Sequence, residues 1–232
     1  MSDKQIILLF IKAPIMGQVK SRLAADVGEE IALGLYKNFI LDMINTLKES
    51  GHFFRICYHP PEEEKAVSAW LGPYYPYMPQ LGNDLGGKME GAFNRIFSEG
   101  FASGVLIGSD VPDMPSTMVQ EAFESLKNND VVIGPAADGG YYLVGFNQDS
   151  FLPRVFDGIP WSTHTVYQET MRILQAASLR VHHLPLWRDV DAVGDLRSLF
   201  DRSRNSTFAQ SKTMMYLLKT RLLEKTGMNH YE

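Results

Sequence analysis

Apolar positions along the chain fall into two kinds of run. Short unbroken runs, bounded by turn residues, read as strands buried on both faces, the mark of a parallel sheet. They predict strands over Gln5–Ile11, Phe53–Tyr58, Ala102–Ile107, Asp130–Ile133, Tyr141–Phe146 and Leu179–Leu184. Between them lie stretches with helical spacing. In Glu29–Leu47, residues Ile31, Leu35, Phe39, Met43 and Leu47 recur about every fourth place. Further helices are expected from Pro60-Pro61 to Leu71, over Lys88–Glu99, over Thr117–Lys127 after a Ser116 cap, and from a Ser162 or Thr163 cap to Ala177. Two more follow, from Asp195 to about Ser203 and over Ser206–Glu224. Asp149–Phe156 reads as a helical turn or two. The proline- and tyrosine-rich segment Gly72–Gly87 admits an edge strand and excludes a central one, because proline donates no ladder hydrogen bond. Strands alternating with helices predict an α/β fold on a mainly parallel sheet.

Composition narrows the class. The chain has 232 residues, 45% hydrophobic and 21% charged, with net charge −5. An acidic balance argues against a nucleic-acid partner. A single cysteine, Cys57, excludes an internal disulfide and suggests a reducing, cytoplasmic setting. The run Ile6–Ile11 is too short for a signal peptide, and none approaches the roughly 18 apolar residues of a membrane span.

Two charge patterns stand out. Lys12, Lys20 and Arg22 surround a turn marked by Pro14 and Gly17, just after the first strand. Cations and backbone N–H groups at that edge suit a phosphate, although the Gly-Lys-Ser/Thr ending of a Walker loop is missing. The complementary set is acidic. Asp110 ends a core strand in Val105-Leu106-Ile107-Gly108-Ser109-Asp110-Val111-Pro112, Asp189 and Asp191 follow another, and Asp138 lies in a glycine loop. In open α/β sheets ligands bind at this edge. One or two carboxylates plus substrate phosphates suit Mg²⁺ or Mn²⁺. His182-His183 has no zinc-ligand spacing and reads as structural, and no Gly-x-Ser-x-Gly marks a serine hydrolase.

Six ordered motifs carry a resemblance. They are Lys12-x-Pro14-x-x-Gly17-x-x-Lys20-x-Arg22-Leu23, Gln80-x-Gly82-x-Asp84-Leu85-Gly86, Gly108-Ser109-Asp110-x-Pro112, Asp138-Gly139-Gly140-Tyr141-Tyr142-Leu143-x-Gly145, Trp161-Ser162-Thr163 and Asp189-Val190-Asp191. Together they resemble the bacterial family of inferred nucleotide-diphospho-sugar transferases with a glycosyltransferase-A-like (GT-A) fold. The chain is more distantly similar to molybdenum-cofactor and 2-phospholactate guanylyltransferases. The resemblance implies a three-layer, Rossmann-like α/β/α sandwich whose mainly parallel sheet is mixed. It places Lys12, Gly17, Lys20 and Arg22 at the nucleotide phosphates, and Leu85, Gly86 and Lys88 near base and ribose. Asp110 and Asp191 would hold Mg²⁺ or Mn²⁺. Asp138, Gly139, Gly140, Tyr141 and Trp161 would face the sugar or acceptor. Asp138, as general base, and Lys20 are the expected catalytic groups. Two departures show: Asp113 falls one residue late for an Asp-x-Asp pair, and Lys88 stands where the family has arginine.

The expected function is metal-dependent glycosyl transfer from a nucleoside diphosphate sugar. The alternatives are nucleotidyl transfer from a triphosphate to a phosphorylated acceptor with pyrophosphate release, and a non-catalytic nucleotide-binding module. Residues 1–204 are expected to form the nucleotide-diphospho-sugar transferase-like domain. Residues 205–232 are expected to form a helical extension packed on it, with Met214, Met215, Leu217, Leu218, Leu222 and Leu223 offering a packing face or a homodimer contact.

Overall fold

A computed structural model describes residues 4–222. Seven strands and eight α-helices are found among them. Strand β1 (Gln5–Lys12) is followed by α1 (Ser21–Val27), α2 (Glu29–Ser50), β2 (Phe54–His59), α3 (Glu64–Leu71) and β3 (Tyr77–Pro79). Then come α4 (Leu85–Ser98), β4 (Ser103–Ile107), α5 (Ser116–Ser125), β5 (Val131–Pro135) and β6 (Tyr141–Asn147). The chain continues through α6 (Val166–Ala176), β7 (Val181–His183), α7 (Val193–Ser203) and α8 (Lys212–Thr220).

The strands form one sheet in the order β3-β2-β1-β4-β6-β5-β7. Every neighbouring pair is parallel except those made by β6, which runs antiparallel to both β4 and β5. The sheet is therefore mixed and mainly parallel, as expected. Strand β3 lies at the sheet edge, where its terminal proline is tolerated.

The unbroken apolar sequence of β1 follows from burial on both sides. Ile7, Leu9 and Ile11 meet α2 and α5 on one face, through Tyr36, Ile40, Met43, Met118 and Phe123. Ile6, Leu8 and Phe10 meet α4 and α6 on the other, through Met89, Phe93, Ile96 and Leu174. These are the three layers. A third cluster joins α1, α2, α7 and α8 through Leu23, Leu35, Phe39, Leu196, Leu199, Met214 and Leu217. Asp42, a buried carboxylate on α2, fixes α8 by accepting hydrogen bonds from the Lys212 and Thr213 amides at 2.9 and 2.8 Å. No helix among the described residues is long and apolar enough to cross a membrane.

Several expected boundaries move. Helix α1 occupies part of the stretch read as a loop; it starts from Lys20 in the left-handed region, φ 49°, without a capping side chain. Ser116 is the first helical residue of α5 rather than its cap. Helix α6 starts at Val166, because Ser162 to Thr165 form a turn in which Thr163 Oγ1 donates to Pro160 O. Asp195 lies inside α7, its carboxylate accepting from the Asp191 and Ala192 amides. Helix α4 begins three residues early, capped by Asp84, which accepts from Gly87 N at 2.8 Å. The expected last helix is a 3₁₀ turn over Thr207–Gln210 and then α8, capped by Ser211; its expected end, Leu223 and Glu224, lies outside the described residues.

Candidate functional site

A cleft of about 580 Å³ opens along the C-terminal ends of β1, β2, β4 and β5 and the loop after β7. It is lined by most of the residues singled out from the sequence: the basic and α4 residues Lys12, Lys20, Arg22, Leu85 and Lys88, together with Asp110, Asp138, Gly140, Tyr141, Trp161, Asp189 and Asp191. Gly17, Gly86 and Gly139 are not in the lining; each serves the backbone around it. Gly17 turns the first loop at φ 76° against Glu29, and Gly139 sits at φ 92°, where any Cβ would strike the His164 carbonyl.

Asp110 follows β4 after Gly108 and Ser109, and its carbonyl accepts from Val190 N at 2.8 Å. That bond brings the loop after β7 to the end of β4. Lys20 then joins the two. Its ammonium donates to Asp110 Oδ1 at 2.5 Å, Asp191 Oδ1 at 2.9 Å and Val190 O at 2.6 Å. All three of its protons are engaged with protein oxygens, and the Phe39 ring lies 5.6 Å from the nitrogen. The Lys20 side chain is 4% exposed, whereas Asp110 and Asp191 are 45% and 35% exposed toward the cleft. Burial disfavours the Lys20 charge, but the two carboxylates outweigh it and raise its pKa above the ordinary lysine value. Burial likewise works against Asp191, yet Lys20 and Arg22 hold its carboxyl below the usual range. As arranged here, Lys20 addresses the acids rather than open space for a phosphate, and Lys12 and Arg22 are the cations of that loop left facing the cleft.

Asp189 behaves differently from its neighbour. Burial and the nearby carboxylates of Asp138, Asp191 and Asp110 push its pKa up to about 6. Asp138 makes a tight turn, with Oδ1 accepting from Gly140 N at 2.8 Å, and its charge acts on Asp189. Asp113, one residue late for a paired acid motif, has a structural task instead. Arg202 grips it with two hydrogen bonds of 2.7 and 3.0 Å, and Trp187 Nε1 donates to it at 3.2 Å. Tyr141 and Trp161 pack edge to face, with centroids 6.4 Å apart. Trp161 also lies over Gly86, close enough that a side chain there would collide with the indole. So Gly86 serves to seat Trp161 on the start of α4.

Sequence reasoning missed three lining residues. His59 ends β2, paired in register with Lys12 at the end of β1, and its Nε2 lies 3.3 Å from Lys88 Nζ. Gln80, noted only within a motif, donates from Nε2 to Ile11 O at 3.0 Å and Cys57 O at 2.7 Å. Tyr36 OH accepts from Lys12 N at 2.7 Å and donates to Lys12 O at 3.0 Å. A usable signal existed for His59: a polar residue ending an apolar run just before Pro60-Pro61, at the same sheet edge as Lys12.

Among the described residues no group of three or more His, Cys, Asp or Glu forms a complete metal site. Asp110 and Asp191 nonetheless offer hard oxygen donors around a point now held by an ammonium. A two-carboxylate set suits a magnesium-class ion, which takes its remaining ligands from water and substrate phosphates.

No curated protein matches the chain. A solved protein of Desulfovibrio desulfuricans G20, assigned by inference as a nucleotide-diphospho-sugar transferase, shares 42% identity and superposes with a TM-score of 0.93. The match covers 97% of this chain and 98% of that one. A nucleotidyl transferase from Methanothermobacter shares the fold at 15% identity and TM-score 0.55, covering 85% and 96% of the two chains. Rv0371c of Mycobacterium tuberculosis H37Rv, solved in complex with manganese, does so at 15% identity and TM-score 0.52, covering 85% and 98%. The signature of a family described as an uncharacterized protein conserved in bacteria, DUF2064, spans residues 43–163, and with the Desulfovibrio likeness it establishes that this chain belongs to that family.

Proposed function

We infer that this protein is a divalent-metal-dependent glycosyltransferase that takes a sugar from a nucleoside diphosphate donor. The observation that carries the reading is the convergence of Asp110 and Asp191 on one cation position, taken here by the Lys20 ammonium, in a cleft that Arg22 also lines. Asp110 and Asp191 would hold Mg²⁺ or Mn²⁺. The ion, when bound, offsets the charge that develops on the leaving diphosphate. Arg22 contributes the same kind of stabilisation through a forked, charge-assisted contact to phosphate oxygens. Lys20 positions the two acids. Leu85 and Gly86, at the start of α4, lie on the nucleotide side. Asp138, Tyr141 and Trp161 lie on the sugar and acceptor side, and Asp138, with one carboxylate oxygen unengaged by Gly140 N, is the proton acceptor of the reading. Residues 1–204 are taken as the transferase-like domain and 205–232 as its extension, in keeping with the seating of α8 on α2.

The test is thermal stabilisation by a panel of nucleotide sugars, with and without Mn²⁺, in the wild type and in Asp110→Asn. Metal-dependent stabilisation that disappears in the variant, with an unchanged ligand-free melting temperature, supports the reading; unchanged stabilisation removes Asp110 from it. A second reading, nucleotidyl transfer, draws on the fold shared with the Methanothermobacter nucleotidyl transferase. Products separate the two: a nucleoside diphosphate marks glycosyl transfer, and pyrophosphate released from a triphosphate marks the second reading.

A further inference from the structure

The cleft is electrically two-ended. Its acids, Asp110, Asp138, Asp189 and Asp191, follow β4, β5 and β7, on one half of the sheet. Lys12, His59 and Lys88 come from the ends of β1 and β2 and the first turn of α4, on the other half. Among the described residues neither Lys12 nor Lys88 has a carboxylate within ion-pair distance, and the side chain within hydrogen-bond distance of the Lys88 ammonium is His59.

This crowding of basic groups is built into the fold. Lys12 and His59 are register partners on adjacent parallel strands. Tyr36, 2% exposed, fixes the Lys12 backbone by two hydrogen bonds. Gln80, 6% exposed, clamps the strand ends just before both residues through Ile11 O and Cys57 O. Both of its partners are carbonyl oxygens, which only accept, so its amide nitrogen is the end that binds them. His59 Nδ1 is buried with no partner. Burial and the neighbouring cations hold the pKa values of both Lys88 and His59 below their ordinary levels. Asp84 opposes this at Lys88 and Glu62 at His59, each with a smaller effect than burial and the cations. The neutral imidazole takes a hydrogen bond from Lys88, so the unbalanced charge is that of Lys12 and Lys88, whose mutual repulsion a bound anion would offset.

We propose that Lys12, His59 and Lys88 form a metal-independent subsite for a phosphate-class anion, separate from the Asp110–Asp191 end of the cleft. In this arrangement Lys88 turns from His59 Nε2 toward the anion, and Lys12 closes on it from the end of β1. The anion is either a phosphoryl group of the nucleotide itself or one on a second substrate. Assigning it to a substrate rests on the transferase reading; the subsite itself does not.

The test uses inorganic phosphate as the probe, with EDTA present, followed by calorimetry and by thermal stabilisation. Wild type and Arg22→Ala should both bind. Lys88→Gln and Lys12→Gln should bind about tenfold more weakly or worse, the scale of losing one charge-assisted hydrogen bond. Lys88→Arg should recover most of the affinity, and ligand-free melting confirms that each variant folds. Failure of the wild type to bind phosphate overturns the proposal, as does binding that is lost in Arg22→Ala but retained in Lys88→Gln. A second arm titrates a nucleoside diphosphate with Mn²⁺ against phosphate. Competition assigns the subsite to the nucleotide's own phosphates, and additive binding assigns it to a phosphate on another molecule. If phosphate binds in EDTA while no nucleotide binds with metal, the transferase reading fails and the subsite stands.

Discussion

Replacing Lys20 with methionine removes one charge and leaves two. Methionine nearly matches the length of the lysine side chain, and the Phe39 ring, 5.6 Å from the present nitrogen, gives its end an apolar neighbour, so the expected loss is electrostatic rather than a cavity. Asp110 and Asp191 would then face each other without the ammonium now 2.5 and 2.9 Å from their oxygens. Removing one partner of a fully buried ion pair costs about 3–5 kcal/mol, whereas exposed pairs are worth at most about 1 kcal/mol. Here the lysine is buried but the acids are 45% and 35% exposed, so water takes up part of the unbalanced charge. The expected net cost is about 2 kcal/mol, or roughly 4–8 °C in melting temperature for a chain of this length. Differential scanning calorimetry at neutral pH in EDTA measures it. The triple variant Lys20→Met, Asp110→Asn, Asp191→Asn should recover most of the loss, because it removes the repulsion together with the clamp. Adding Mn²⁺ should stabilise Lys20→Met more than wild type, since the ion no longer competes with an ammonium for the same oxygens. A variant that melts within a degree of wild type, or a triple variant no better than the single, refutes the clamp.

Two further predictions concern the scaffold. Asp42→Ala leaves the Lys212 and Thr213 amides without their buried acceptor, at about 1–3 kcal/mol for each orphaned donor. Urea unfolding should show a loss of about 2–4 kcal/mol with the slope unchanged. Glu99 is held below the usual carboxylate range, first by its hydrogen bond from Arg55 and then by Arg95. The contribution is therefore complete above the unfolded glutamate value of about 4.3 and fades as pH falls through the lower folded value. Arg55→Met should cost about 0.5–1 kcal/mol at pH 7, and the difference from wild type should vanish in strong acid.

Much of this architecture is legible in the sequence where burial is two-sided. The run Ile6–Ile11 has no polar position because α2 and α4 cover opposite faces of one strand. The prolines around Tyr77 fix β3 at an edge for want of donors. The reversal of β6 was also readable, since the short loop between Pro135 and Tyr141 cannot hold the dozen or more residues a parallel crossover needs. Helix α1 was not. It begins at a left-handed lysine with no capping side chain, and its apolar side is covered by α2, α7 and α8, which are distant in sequence. At the site, strand ends identified Asp110 and Lys12. The target of Lys20 was hidden, because a long flexible side chain in a basic loop points to phosphate and to carboxylate equally well. Likewise Asp113 looked like a displaced ligand until Arg202, far along the chain, was seen to hold it.

The bond from Lys20 to the Val190 carbonyl joins positions 170 residues apart. At roughly 5–20 residues per second, a ribosome makes the first about 10–30 s before the second. Throughout that interval the acidic pocket has no lysine clamp and the lysine no acids, so a nascent or prematurely terminated chain lacks the assembled centre however well its first strands pair. Competence at the centre therefore waits for the loop after β7 to be made.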